Sequence, residues 1–106
     1  MEKLLEVYFN EDNGLHKGLP TVQYLAEALH MSAGYLSDML RSLTGMNAQQ
    51  HIHQKLIEKA RIYLATGNLS VAEVAYRLGF EHPQSFNKLF RNKTSQSPME
   101  FRRSVS

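Results

Sequence analysis

A chain of 106 residues with 42% hydrophobic and 21% charged side chains has material for one small core, or for two very small ones sharing a linker. It contains no cysteine, which excludes disulfides, cysteine-based zinc sites and thiol catalysis, and no apolar run approaches membrane-spanning length, nor do the first residues read as a signal peptide. The net charge of +2 hides an asymmetry: residues 1–50 carry three basic and six acidic side chains (−3), residues 51–106 nine and four (+5), so an electrostatic footprint for nucleic acid is expected mostly on the second half.

In chain order, Glu2–Asn10 reads as a helix with Leu4, Leu5, Tyr8 and Phe9 along one stripe, and the polar, glycine-containing run Glu11–Gly18 as a loop. Pro20-Thr21 then introduces a first helix-turn-helix unit over residues 21–45. Val22, Leu25, Ala26 and Leu29 form the apolar face of its first helix, His30 sits at the turn, and Ser32 is the expected N-cap of the next helix. Inward positions of that second helix are Leu36, Met39 and Leu40; the outward stripe is Gly34, Ser37, Asp38 and Arg41. A long helix follows within 47–66, capped by Asn47 with Gln50 completing a capping box and stopped by Gly67-Asn68. Its expected buried stripe is Ile52, Leu56, Ala60, Tyr63 and Leu64. At about 1.5 Å per residue it is roughly 28 Å long, close to the ~34 Å of one turn of B-DNA. A rigid spacer of that length can set two recognition helices in successive major grooves.

The second unit spans 70–95. Ser70 and Glu73 form a capping box, Val71, Val74, Ala75 and Leu78 the apolar face, and Gly79 ends the helix. Pro83 takes the first position of the following helix, which buries Phe86, Leu89 and Phe90 and turns Gln84, Asn87, Lys88 and Arg91 outward. Amides and cations suit base edges and phosphates in a major groove. His82, just before Pro83, fits either a phosphate contact or a plain capping role. Ser97-Pro98-Met99-Glu100 is a further capping box that opens a short closing helix over 98–103. The predicted fold class is all-α, about seven helices, with two helix-turn-helix units joined by a long central helix.

The two units are copies of one pattern. Val22, Leu25, Ala26 and Leu29 precede Val71, Val74, Ala75 and Leu78 by 49 residues, and past the turn Leu36, Met39, Leu40, Arg41 and Thr44 precede Phe86, Leu89, Phe90, Arg91 and Thr94 by 50. One helix with a polar outward stripe is weak evidence for nucleic-acid binding, because most such stripes are solvated faces. Two copies of the whole unit are stronger.

With Ala75, Leu78, Gly79, Phe80, Ser85, Phe86, Phe90 and Arg91, followed by Thr94, Ser97, Pro98, Glu100, Phe101 and Arg102, the chain resembles the DNA-binding domain of the AraC/XylS transcription regulators. The resemblance covers the chain from about Leu4 to Arg103, its later motif being the more specific and its first unit diverged. It implies a bacterial, cytoplasmic, non-enzymatic regulator without cofactor or metal, whose partner is a double-stranded DNA operator. RNA polymerase and a separate N-terminal effector and dimerisation domain are further candidate partners; a membrane is not. The DNA-facing positions it implies are Ala33, Gly34, Ser37, Asp38 and Arg41 in the first recognition helix and Pro83, Gln84, Ser85, Asn87 and Lys88 in the second, with His82 and Arg91 added from the residue pattern. Many relatives carry a basic residue where this chain has Asp38, whose carboxylate is repelled by phosphate but can accept from cytosine N4. Ser95 replaces the glycine that usually follows the motif threonine, a departure that concerns a helix cap.

Other groupings weigh less. His51 and His53, two apart on a helix, face different ways and make a poor metal pair. Tyr35 and Tyr76 are expected in core or rim packing, and the five methionines as core filler. The rival function is a helical protein-interaction module that kept this fold without operator reading; strong salt dependence of duplex binding separates the two. An enzyme with this module would need a fused methyl-acceptor domain that uses cysteine.

Overall fold

The computed structural model describes residues 1–10 and 18–105. Those residues form seven helices and no strand: α1 (Glu2–Asn10), α2 (Val22–Ala28), α3 (Ala33–Thr44), α4 (Ala48–Thr66), α5 (Val71–Leu78), α6 (Pro83–Thr94) and α7 (Pro98–Val105). The pairs α2–α3 and α5–α6 are the two helix-turn-helix units, and α4 joins them. The closing helix runs two residues past its expected end at 103. The loop expected over Glu11–Gly18 lies, apart from Gly18, outside the described residues.

Local chemistry sets each helix start. The Thr21 hydroxyl accepts from the Tyr24 N–H at 3.0 Å and the Ser32 hydroxyl from the Tyr35 N–H at 3.1 Å. Three reciprocal capping boxes open α4, α5 and α7: Asn47 with Gln50, Ser70 with Glu73, and Ser97 with Glu100. The helix ends are left-handed, at Gly45 (φ 82°) for α3, Gly79 (φ 110°) for α5 and Ser95 (φ 65°) for α6. His30, at the first turn, has φ 59°, as its correspondence with Gly79 implies. The two positions differ in surroundings. His30 is exposed, whereas a Cβ on Gly79 would lie 2.6 Å from the Gly18 carbonyl carbon and 2.7 Å from the Leu19 nitrogen. Only glycine lets those backbones approach so closely.

Two apolar clusters share α4 as their spine. Leu25, Ala26, Leu36 and Leu40 of the first unit close over Leu5, Ala48 and Ile52. Val74, Ala75, Leu78, Phe80, Phe86 and Phe90 of the second close over Tyr8, Phe9, Leu56, Ile57, Ala60 and Leu64. A ring series continues from Phe80 through Phe86 and Phe90 to Phe101, with centroids 5.4–5.8 Å apart. Each fully buried side chain of this kind contributes about 1.5–3 kcal/mol. Thus α1 is a clasp across both clusters, Leu5 in one and Tyr8 and Phe9 in the other.

The single stripe expected on α4 understates its burial. His51, Lys55 and Ile57 are buried as well, while Tyr63 is half-buried with the Arg77 guanidinium over its ring. Lys55 and Lys59 reach Glu6 of α1, Lys55 also lying 3.5 Å from Glu2 and 3.6 Å from Glu58. The Glu6 carboxyl is thereby pulled down to a pKa of about 2, by its bonds to Lys55 first and Lys59 second. Arg102 ties α7 to the α4–α5 connection, donating from Nε to the Leu64 carbonyl at 3.0 Å and from Nη2 to the Leu69 carbonyl at 2.6 Å. The methionines fill the core only in part: Met1, Met31 and Met39 pack half-buried against the first cluster, whereas Met99 is exposed.

Candidate nucleic-acid interface

The inward faces of α3 and α6 determine what is left outside. In α6, Phe86 and Phe90 are fully buried and Leu89 half-buried, so Gln84, Ser85, Asn87, Lys88 and Arg91 are exposed. Pro83, at the first helical position, is half-buried. His82 is exposed at the N-cap and makes no side-chain capping bond, so of the two roles open to it the capping one is not taken. In α3, Leu36 and Leu40 are buried and Met39 half-buried; Gly34, Asp38 and Arg41 are exposed, Ala33 and Ser37 half-buried.

Charge distinguishes the two faces. Over residues 83–94, α6 carries Lys88, Arg91 and Lys93 with no carboxylate; over 33–44, α3 carries Arg41 alone, opposed by Asp38. Asp38 sits 3.5 Å from the Arg41 guanidinium. Arg91, the equivalent of Arg41, pairs instead with Glu100 of α7 at 3.3 Å. Glu100 also accepts the Ser97 N–H at 2.8 Å, and the Ser97 backbone and hydroxyl, then Arg91 and Arg103, hold its carboxyl below the usual range. Each matched arginine is therefore oriented by a carboxylate, from its own helix in one unit and from the next helix in the other. Glu100 as the partner of Arg91 was not legible from spacing, since the two are nine residues apart on different helices.

The excess of cations in the second half is smaller at the surface than in the sequence. Lys55 and Lys59 are neutralised against α1, where Glu2 and Glu6 supply part of the negative charge counted in the first half. Lys88, Arg91 and Lys93 then concentrate positive charge on α6, while Arg61 of α4, Arg77 of α5 and Arg102 and Arg103 of α7 carry the rest.

Of the core or rim packing expected for two tyrosines, the core alternative is not realised. Tyr35 is 62% exposed and Tyr76 48%, so neither is core. Tyr35 holds the third helical position of α3, fifty residues before Ser85 in α6, one of the DNA-facing positions that the resemblance implies. Carrying the repeat register through Tyr35 was the signal available. The register at Thr44 and Thr94 carries into their hydrogen bonds: each donates to the carbonyl four residues back, Leu40 and Phe90, at 2.7 and 2.8 Å. Each then accepts the second N–H beyond it, from Met46 or Gln96, at 3.2 Å. His51 is buried with Nε2 2.9 Å from the Thr44 hydroxyl, while His53 bonds Gln49, so the two rings serve separate contacts.

The molecule measures 41 × 28 × 21 Å, long enough on one axis to lie along a turn of B-DNA of about 34 Å. No helix among the described residues is long and apolar enough to cross a membrane. An open groove of about 670 Å³ runs beside α4 between the units, bordered by Met46, His53, Gln54, Arg61 and Lys93.

Residues 25–104 match the family model of a helix-turn-helix domain. The chain is 30% identical over 84 residues to the Msm operon regulatory protein of Streptococcus mutans, 79% of this chain and 30% of that one. It is 33% identical over 78 residues to the transcriptional activator RhaS of Escherichia coli, 74% of this chain and 28% of that one. The chain thus spans about 30% of the length of these regulators. Among solved structures it is similar to the DNA-binding domain of AdpA in complex with a target DNA, at 29% identity and a TM-score of 0.79 over 97% of this chain and 89% of that one. It is also similar to the C-terminal domain of the response regulator yesN of Fusobacterium nucleatum, at 31% identity and a TM-score of 0.78 over 95% and 96%.

Proposed function

This chain belongs to the AraC/XylS family of helix-turn-helix transcription regulators, and we propose that residues 1–106 are one DNA-binding domain that reads double-stranded operator DNA through α3 and α6. The observation that carries this is the duplicated unit. Two helices with left-handed C-caps at Gly45 and Ser95 and outward stripes in the same register are strung on one rigid helix of about 28 Å, near the length of a duplex turn. The two helices enter successive major grooves on one side of the duplex.

The division of labour follows from the exposed groups. Gln84 and Asn87 are the base readers of α6, since an amide can both donate to and accept from an adenine edge. Lys88, Arg91 and His82 face phosphate. Ser85 and Pro83 line the same groove. Ala33, Gly34, Ser37, Asp38 and Arg41 are the corresponding surface of α3. The domain acts in the bacterial cytoplasm, needs no cofactor and catalyses no reaction. The protein partners that fit this reading are RNA polymerase and a separate N-terminal sensing and dimerisation domain.

The test starts from duplexes selected by the protein out of a random library. Gln84→Ala and Asn87→Ala are expected to relax preference at one base pair each, costing about 1–3 kcal/mol on the selected duplex. Lys88→Ala and Arg91→Ala are expected to weaken specific and random duplex alike and to lower the salt slope by about 1 each. Equal losses on both duplexes from all four variants would refute base readout by α6. Binding that ignores salt would favour the protein-interaction reading instead.

A further inference from the structure

The N-terminal turn of α3 is chemically unlike that of α6, and we propose that it reads thymine, through Tyr35 set close to the base edges by Gly34. The inference rests on the DNA-binding reading above and adds a residue and a base to it. At matched positions α6 opens with Pro83, Gln84 and Ser85, and α3 with Ala33, Gly34 and Tyr35. The α3 turn thus offers a methyl group, bare backbone and an aromatic ring, with one phenol hydroxyl as its polar side-chain group. Apart from that hydroxyl nothing on its side chains hydrogen-bonds a base edge, and the complement of its apolar part in the major groove is the apolar group that groove displays, the thymine 5-methyl.

Two observations support this placement. Tyr35 is 62% exposed although a tyrosine that packs beneath a recognition helix would be covered, and its backbone N–H is already held by Ser32. Gly34 is the second. Glycine is the poorest helix former short of proline, yet Gly34 has an ordinary helical backbone and a Cβ there would meet nothing within 4 Å. No contact inside the molecule asks for glycine at that position. Bare backbone there leaves room for a close approach to the groove floor outside the first turn of the helix. Arg41 is the single cation on α3, so fewer charge contacts to phosphate are open to this helix than to α6.

The experiment uses the whole chain and a duplex it has itself selected from a random library. Each thymine in the segment protected by the first unit is replaced in turn by deoxyuridine, which removes only the methyl. At one thymine the wild-type protein is expected to lose about fourfold in affinity, the worth of one buried methyl group. Tyr35→Ala should bind the thymine duplex more weakly and show no further loss on the deoxyuridine one, while Tyr35→Phe should behave as wild type. Gly34→Ala should raise the thermal midpoint and yet weaken binding, which separates loss of fit from loss of fold. The inference is overturned if Tyr35→Ala keeps the wild-type deoxyuridine profile, if no thymine in the segment matters, or if Gly34→Ala binds as tightly as wild type. In those cases persistent salt-dependent binding that Lys88→Ala weakens shows that the DNA-binding reading survives; absence of any salt-dependent binding refutes both.

Discussion

Gly79→Ala is the substitution on which the structure places the heaviest demand. Gly79 ends α5 with φ 110°, and a new methyl would stand 2.6 Å from the Gly18 carbonyl carbon, 2.7 Å from the Leu19 nitrogen and 2.8 Å from the Gly18 oxygen. A left-handed backbone costs an L-residue about 1–2 kcal/mol. The overlap costs more, because all three neighbours are backbone and ordinary contact begins near 3.4 Å. Segment 18–19 cannot simply retreat, since the Gly18 carbonyl accepts the Tyr8 hydroxyl of α1. Overpacking of a fixed neighbour adds about 1–3 kcal/mol. The sum is about 2–5 kcal/mol, a large share of what a domain of this size holds. It corresponds to a fall of at least about 10 °C in thermal midpoint. Urea unfolding followed by far-ultraviolet circular dichroism measures it, with His30→Ala as the comparison. His30 is equally left-handed but exposed, so replacing one non-glycine residue by another there should change stability little. A loss below about 1 kcal/mol for Gly79→Ala would refute the packing argument, because then neither the dihedral nor the contact constrains the turn.

Three further outcomes are expected. The Glu6 carboxyl, depressed from 4.5 to about 2 by Lys55 and Lys59, contributes stability that is fully present above pH 4.5 and is lost as the pH falls towards 2; Glu6→Gln should therefore lower the thermal midpoint at pH 7 and flatten its decline across that window in a calorimetric pH series. Asp38→Arg should tighten binding to random duplex and steepen its salt dependence by removing a repulsion of order 1 kcal/mol, whereas a loss on the selected duplex alone would mean that Asp38, 3.5 Å from Arg41, positions that arginine or accepts from a cytosine. Two residues inserted near Ile62 turn the second unit by roughly 200° about α4, so operator affinity should fall to that of a single unit while helicity persists, and undiminished affinity in a gel-shift titration would refute the two-groove arrangement.

The helices, their caps and the duplication were written locally. Ser70 with Glu73, Asn47 with Gln50, Gly79 and Pro83 each act within one turn of backbone, and periodicity 3.6 sorts Phe86 and Phe90 from Gln84 and Asn87 without knowledge of any partner. For the same reason the outward stripes of α3 and α6 followed from composition and spacing. Whether Tyr35 lies in the core or at the rim was not legible, because whether a given ring is covered depends on what the fold packs against it.

Everything that joined distant segments was decided by tertiary structure alone. That Lys55 and Lys59 close on Glu6 across about fifty residues, and so subtract from the charge asymmetry counted along the chain, depends on how α1 lies on α4. So do the pairing of Arg91 with Glu100, the hold of Arg102 on the Leu64 and Leu69 carbonyls, and the demand that Gly79 be glycine for the sake of Gly18. Local signals fix backbone conformation because they act over a single turn. Side-chain charge and contact act through space, over distances that sequence separation does not measure, and only the packed chain sets those distances.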